Sequence, residues 1–115
     1  MKPSTKLSPA EIGDRLKGLP GWRLEDGAIV RDYQTDGWPT TLMLVNAIGF
    51  FAEAADHHPD LAVSWGKVQV KLSTHSAGGV TASDMELAKL IEQTALWRPS
   101  AASALRGTKK KFVGS

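Results

Sequence analysis

The sequence predicts an α+β fold: a single domain in which a four-stranded antiparallel sheet carries three helices on one face, in the order α-β-β-α-β-β-α. Three observations lead there. Two pairs of short strand-like segments are each joined by a turn containing glycine, and three other segments repeat their apolar residues at helical spacing. The 115 residues are 42% hydrophobic and 23% charged, the balance of an ordinary self-contained core. That length suffices for one compact domain and is too short for two.

Ser8-Pro9-Ala10-Glu11 reads as a helix start: Ser8 can cap the first turn, Pro9 suits the first helical position, and Glu11 can reach back to complete a capping box. Ile12, Leu16 and Leu19 lie on one side, and Gly18, Pro20 and Gly21 stop the helix. Trp22 to Glu25 and Ala28 to Thr35 flank Asp26-Gly27, a pair that tolerates the positive φ of a tight hairpin turn. Asp36, Gly37 and Pro39 announce a new element. After them Leu42, Val45, Ile48, Phe51, Ala52 and Ala55 recur at three- and four-residue steps, predicting a core helix that runs to about His57 or His58 before Pro59. A second hairpin follows, Leu61 to Trp65, Gly66 at the turn, then Lys67 to His75. Val68, Val70 and Leu72 face inward there, with Lys67, Gln69, Lys71 and Ser73 outward. Beyond the loop Ser76 to Val80, Thr81-Ala82-Ser83-Asp84 is a further capping box. Met85, Leu87, Ala88, Leu90, Ile91, Ala95 and Leu96 supply a last helix ending near Trp97.

Composition narrows the function classes. Without cysteine there is no disulfide framework, thiol nucleophile or thiolate-held zinc, and a reducing cytoplasm fits best. Met1 to Ser8 has no apolar export core, and Leu42 to Ala55 is too short and too interrupted, by Asn46 and Glu53, to span a membrane. The net charge of +2 conceals an asymmetry: Arg98, Arg106 and Lys109 to Lys111 leave nine basic residues against 12 acidic ones before them. Residues 1–97 therefore read as the domain, and 98–115 as a basic, flexible C-terminal extension. Lys109 to Lys111 carry no interleaved aromatic residues to stack bases, so nucleic acid is an unfavoured partner.

The three histidines all fall at expected element ends, His57 and His58 where the core helix stops and His75 where the last strand stops. Such junctions allow side chains to meet in a cleft while the scaffold holds them still. Glu53, four residues before His57, is placed to reach and orient that imidazole. Plainer roles compete. A histidine at a helix C-terminus is often a charge against the dipole, Asp84 at N3 can simply complete the cap with Thr81, and Trp65 is more often a core or interface aromatic than a ligand platform. Adjacent histidines point about 100° apart on a helix and are poor joint metal ligands. No Gly-x-Ser-x-Gly elbow is present, and Gly78-Gly79 is not followed by a phosphate-binding Gly-Lys-Ser/Thr.

The joint spacing says more than the single residues. Glu53-Ala-Ala-Asp56-His57-His58-Pro59, then Trp65, His75 and Asp84 at their intervals, resembles the signature of the pterin-4a-carbinolamine dehydratase family. Lys71-Leu-Ser-Thr-His75, the Gly78-Gly79-Val80-Thr81 loop, the Leu7-Ser8-x-x-Glu11 opening, the Trp22 strand and the Asp26-Gly27 turn extend the likeness over roughly Leu7 to Trp97. The resemblance implies dehydration of 4a-hydroxytetrahydropterins to quinonoid dihydropterins, without metal or organic cofactor, in the recycling of tetrahydrobiopterin after pterin-dependent hydroxylases have used it. It implies His57 and His75 as the acid and base pair, with His58 binding or polarising the pterin. Glu53 and Asp84 would tune the imidazoles, and Asp56, Ser73, Thr74 and Ser76 would supply hydrogen bonds to the ring.

Family members are dimers or tetramers, so a homo-oligomer is expected, with apolar residues exposed on the open side of the sheet as its sign. A pterin-dependent hydroxylase is a further expected partner. The family also includes a transcriptional coactivator role and assembly factors for a carbon-fixing enzyme, which makes a non-catalytic binding or assembly module the alternative. Those assembly factors tend to lose the histidines that this chain keeps. Three positions depart from frequent family patterns: Ser83 where some relatives carry arginine or lysine, Ser64-Trp65-Gly66 at a hairpin tip, and the tail from Arg98 onward.

Overall fold

The computed structural model of the protein describes residues 5–114; Met1 to Ser4, part of the stretch read above as lacking an export core, and Ser115 lie outside them. The elements are α1 (Pro9–Leu16), β1 (Trp22–Glu25), β2 (Ala28–Thr35), α2 (Trp38–Ala55), β3 (Asp60–Ser64), β4 (Lys67–Leu72), a 3-10 turn (His75–Ala77), α3 (Ala82–Ala95) and β5 (Val113–Gly114). The four principal strands lie in the order β1-β2-β4-β3, and every pairing is antiparallel. The expected architecture is therefore present, with one strand added.

Local chemistry sets the element bounds. Ser8 caps α1 in a complete capping box with Glu11. Asp26 and Gly27 both take positive φ, 49° and 76°, the geometry of a two-residue hairpin whose twist matches its strands. Gly37 precedes α2 as its N-cap with a φ of 149°, open to glycine, and a Cβ there would stand 3.2 Å from the Trp65 ring. Trp65 is otherwise largely exposed.

In register, Ile29, Arg31 and Tyr33 of β2 stand opposite Leu72, Val70 and Val68 of β4. With Leu44, Ile48, Ala88 and Ile91 from the helices, the apolar members of this set form the core. Each fully buried Val, Leu or Ile contributes roughly 1.5–3 kcal/mol relative to an exposed one. Arg31 is the exception on this face, a buried cation held by Glu92 of α3 through Nε at 2.9 Å and Nη2 at 3.1 Å. The Tyr33 hydroxyl and the Trp22 indole N–H donate to the same carboxylate at 2.6 and 3.0 Å. Burial pushes the Tyr33 phenol up, and the neighbouring carboxylate adds to this. Burial also penalises Glu92, but hydrogen bonds from Arg31 and Tyr33 outweigh it and hold the carboxyl below the usual carboxylate range.

Four expectations are corrected. Helix α2 ends at Ala55, short of His57, because Asp56 takes the left-handed conformation (φ 50°, ψ 44°) and its N–H closes the helix onto Ala52 and Glu53. Strand β4 ends at Leu72, short of His75: Thr74 bridges to Gly79, and the chain turns through His75–Ala77. The tail, expected to be a flexible extension, returns to the sheet, where β5 pairs antiparallel with Gln34 and Thr35 of β2. Arg98 secures it by donating to the Val113 carbonyl at 2.7 Å and lying over the Phe112 ring, while the Asp36 N–H donates to the Phe112 carbonyl. Fourth, the open side of the sheet is polar, laced by Arg23, Asp32, Lys67 and Gln69. Large exposed apolar side chains gather instead on α2, as Trp38, Leu42, Met43 and Phe50.

Candidate active site

Three elements end at the same place. The C-terminus of α2 delivers Asp56 and His57, the loop after β4 delivers Thr74 and His75, and the first turn of α3 delivers Thr81, Ser83 and Asp84. Asp84 is the centre. It sits at N3 of α3, fully buried, and its two oxygens serve different partners. Oδ2 accepts the Thr81 backbone N–H and the Thr74 hydroxyl, both at 2.8 Å. Oδ1 meets His57 Nε2 at 2.5 Å. The cap and the imidazole contact, competing readings in the sequence, are thus both real and use opposite sides of one carboxylate.

The partners of the histidines differ from those expected. The left-handed turn at Asp56 carries His57 off the helical path, so its ring reaches Asp84, 27 positions away, in place of Glu53. Glu53 instead pairs with His58 at 2.9 Å, with the carboxylate 84% and the ring 56% exposed. So exposed a pair contributes at most about 1 kcal/mol. The His57 ring is only 18% exposed.

An ionised carboxylate only accepts, so Nε2 must carry the proton shared with Asp84, leaving Nδ1 of a neutral His57 as its free ring nitrogen. This ring borders a cavity of about 400 Å³ lined by Ala55, Asp56, His57, Ser83, Glu86, Leu87 and Leu90. Ser83, one of the positions that departs from family patterns, therefore faces the same space. His75 is exposed and is linked to this cluster through its neighbour Thr74; among the described residues its ring makes no hydrogen bond. Ser73 and Ser76 are exposed beside it. The structure thus joins His57, Asp84 and Thr74 by direct contact, while His58 and His75 stand outside that network. Among the described residues, no three His, Asp or Glu side chains converge as a metal ion would require.

Sequence reasoning passed over two features. Thr81 was read only as a cap, yet its hydroxyl lies 2.7 Å from that of Thr74. Leu87 and Leu90 enter the sequence reading only as helix periodicity and Glu86 not at all, although their three- and four-residue steps from Ser83 mark the helix face that lines the cavity.

Comparison with known proteins shows the family. The family described as pterin 4 alpha carbinolamine dehydratase matches residues 5–94. A relative from Aquifex aeolicus named for a pterin-4-alpha-carbinolamine dehydratase is 49% identical over 88 residues, which cover 76% of this chain and 89% of the relative. One from Roseiflexus sp. with the same name is 42% identical over 90 residues, 78% of this chain and 97% of its own. A crystal structure of a transcriptional coactivator/pterin dehydratase from Brucella melitensis superimposes with a TM-score of 0.74 at 31% identity, covering 76% of this chain and 96% of that one. The chain belongs to the pterin 4 alpha carbinolamine dehydratase family.

Proposed function

We propose that this protein dehydrates a 4a-hydroxytetrahydropterin to the quinonoid dihydropterin and water, with histidines as general acid and base. The observation that carries the reading is the buried Asp84 carboxylate holding His57 at the edge of an open cavity, within a family named for this reaction. The reaction removes the proton on N5 and expels the 4a-hydroxyl with a second proton, forming the C4a–N5 double bond. It needs one proton acceptor and one proton donor near neutral pH. Imidazoles supply both, each positioned group contributing roughly 10²- to 10⁴-fold.

We assign the acid and base roles jointly to His57 and His75. His58, steadied by Glu53, polarises the ring, while Asp56, Ser73 and Ser76 supply substrate hydrogen bonds. The exposed side chains Trp38, Leu42, Met43 and Phe50 on the uncharged part of α2 support self-association as a dimer or tetramer. A pterin-dependent hydroxylase is the source of substrate chemistry. No helix among the described residues is long and apolar enough to cross a membrane, and absence of cysteine suits a cytoplasmic setting.

The test is direct. Purified protein should accelerate the loss of 4a-hydroxytetrahydropterin absorbance over buffer, in proportion to enzyme concentration; a rate equal to buffer at micromolar protein refutes the proposal.

A further inference from the structure

We infer that Thr74 and Thr81 are positioning residues that set the protonation behaviour of His57 through Asp84, a role that rests on the reading of His57 as an acid–base group. The inference follows from counting donors. Asp84 is fully buried, and as a carboxylate it can only accept. The single hydroxyl proton of Thr74 must therefore point at Oδ2, 2.8 Å away. The Thr74 oxygen is then the acceptor in its 2.7 Å contact with Thr81, so the fully buried Thr81 hydroxyl must donate to it. The chain has one polarity: Thr81 to Thr74 to Asp84, with the Thr81 backbone N–H as a second donor to the same oxygen. Among the described residues no buried side-chain nitrogen or oxygen is left without a partner.

Two donors on Oδ2 draw charge away from Oδ1, the oxygen that faces His57. Removing the Thr74 hydroxyl leaves the buried carboxylate with one donor fewer and makes it a stronger acceptor toward His57. The imidazolium form gains, and the His57 titration moves up. The other titratable groups that border the cavity with His57 are Asp56 beside it and Glu86 from α3, and neither is altered by the change. Thr74, first expected as a substrate contact, acts in this account through Asp84.

Ring ¹⁵N and ¹³C NMR titration of the histidines in the full chain, without substrate, tests this independently of turnover, so an inactive protein would not decide it. Thr74→Val should raise the His57 pKa by about one unit, Thr81→Val by less, and Thr74→Ser should restore the wild-type curve. His58, which stands outside the network beside Glu53, should be unaffected in all of them, and the cooperativity of thermal unfolding reports an intact fold. In turnover of 4a-hydroxytetrahydropterin, Thr74→Val should lower kcat with KM held. Should Thr74→Val fail to fold, Thr81→Val carries the same reading. An unchanged His57 curve in a folded Thr74→Val protein, a serine variant that does not restore it, or a raised KM without any shift at His57 would overturn the inference.

Discussion

Helix α3 turns two carboxylates toward the sheet and its flanking elements, Glu92 half-buried and Asp84 fully buried, and they meet opposite fates. Glu92 accepts from the Arg31 guanidinium twice, from Tyr33 and from Trp22, donors that keep their protons throughout the neutral range. Asp84, eight residues earlier, accepts from two donors of the same fixed kind, Thr81 N–H and Thr74 O–H, and then from His57, an imidazole that borders a cavity. The carboxylate whose partners are all fixed pins helix to sheet. The other, whose last partner is an imidazole at a cavity, is the one we propose as part of the site. What separates structure from chemistry here is the identity and accessibility of a single partner, since both carboxylates are held by several donors.

The contrast can be broken at either end. The largest effect on stability is expected from Glu92→Ala, which removes the carboxylate that neutralises a buried guanidinium and should cost about 3–5 kcal/mol in urea or thermal unfolding. The pH dependence has a definite sign. Because the folded Glu92 carboxyl lies below its ordinary value, its contribution is complete above that value and is lost as pH falls through the folded pKa. The wild type should therefore lose stability below about pH 4.5, the ordinary value, and Glu92→Gln should flatten that acid limb in unfolding measured against pH. His57→Ala should act mainly on activity, lowering turnover at least about tenfold, and should cost less stability than Glu92→Ala because Asp84 keeps its Thr81 and Thr74 donors.

Smaller effects sharpen the picture. A Cβ on Gly21 would stand 2.5 Å from the Arg31 guanidinium, which Glu92 prevents from stepping aside. Gly21→Ala should destabilise by about 1–3 kcal/mol, and an added Arg31→Ala should abolish the Gly21-specific increment in a double-mutant cycle of unfolding energies. Truncation after Trp97 should have the least effect on function. It removes the buried Val113 and the β5 pairing at the end of β2, far from the histidines along the fold, so turnover should hold while stability falls by about 1–2 kcal/mol.

These contrasts also mark what the sequence could carry. Periodicity located the four principal strands and three helices because Val68, Val70 and Leu72 alternate and Ile48 and Ala52 recur at helical spacing, both being local patterns, although Leu42 of the expected helix face is exposed and Leu44 is buried in its stead. It could not carry the end of α2, since Pro59 forbids helix only just before itself, whereas the left-handed turn at Asp56 ends it earlier. The same turn exchanged the partners of His57 and His58, an outcome invisible to i,i+4 spacing. Polar alternation through Ser73 and His75 continued the strand pattern past the point where Thr74 bridges to Gly79. Strand β5 is two residues long and exists only through distant contacts with Arg98, Asp36 and β2. The Arg31–Glu92 pair, separated by 61 positions, likewise has no local signal.

The central claim is that His57 and His75 act as the two proton-transfer partners of one dehydration step. Stopped-flow decay of 4a-hydroxytetrahydropterin with His57→Ala, His75→Ala and the double variant tests it most directly. Each single variant should be slowed at least about tenfold, with the double variant little slower than the worse of the two, as for groups that work as a unit. Single variants with the wild-type rate, or losses that simply multiply in the double variant, would contradict it.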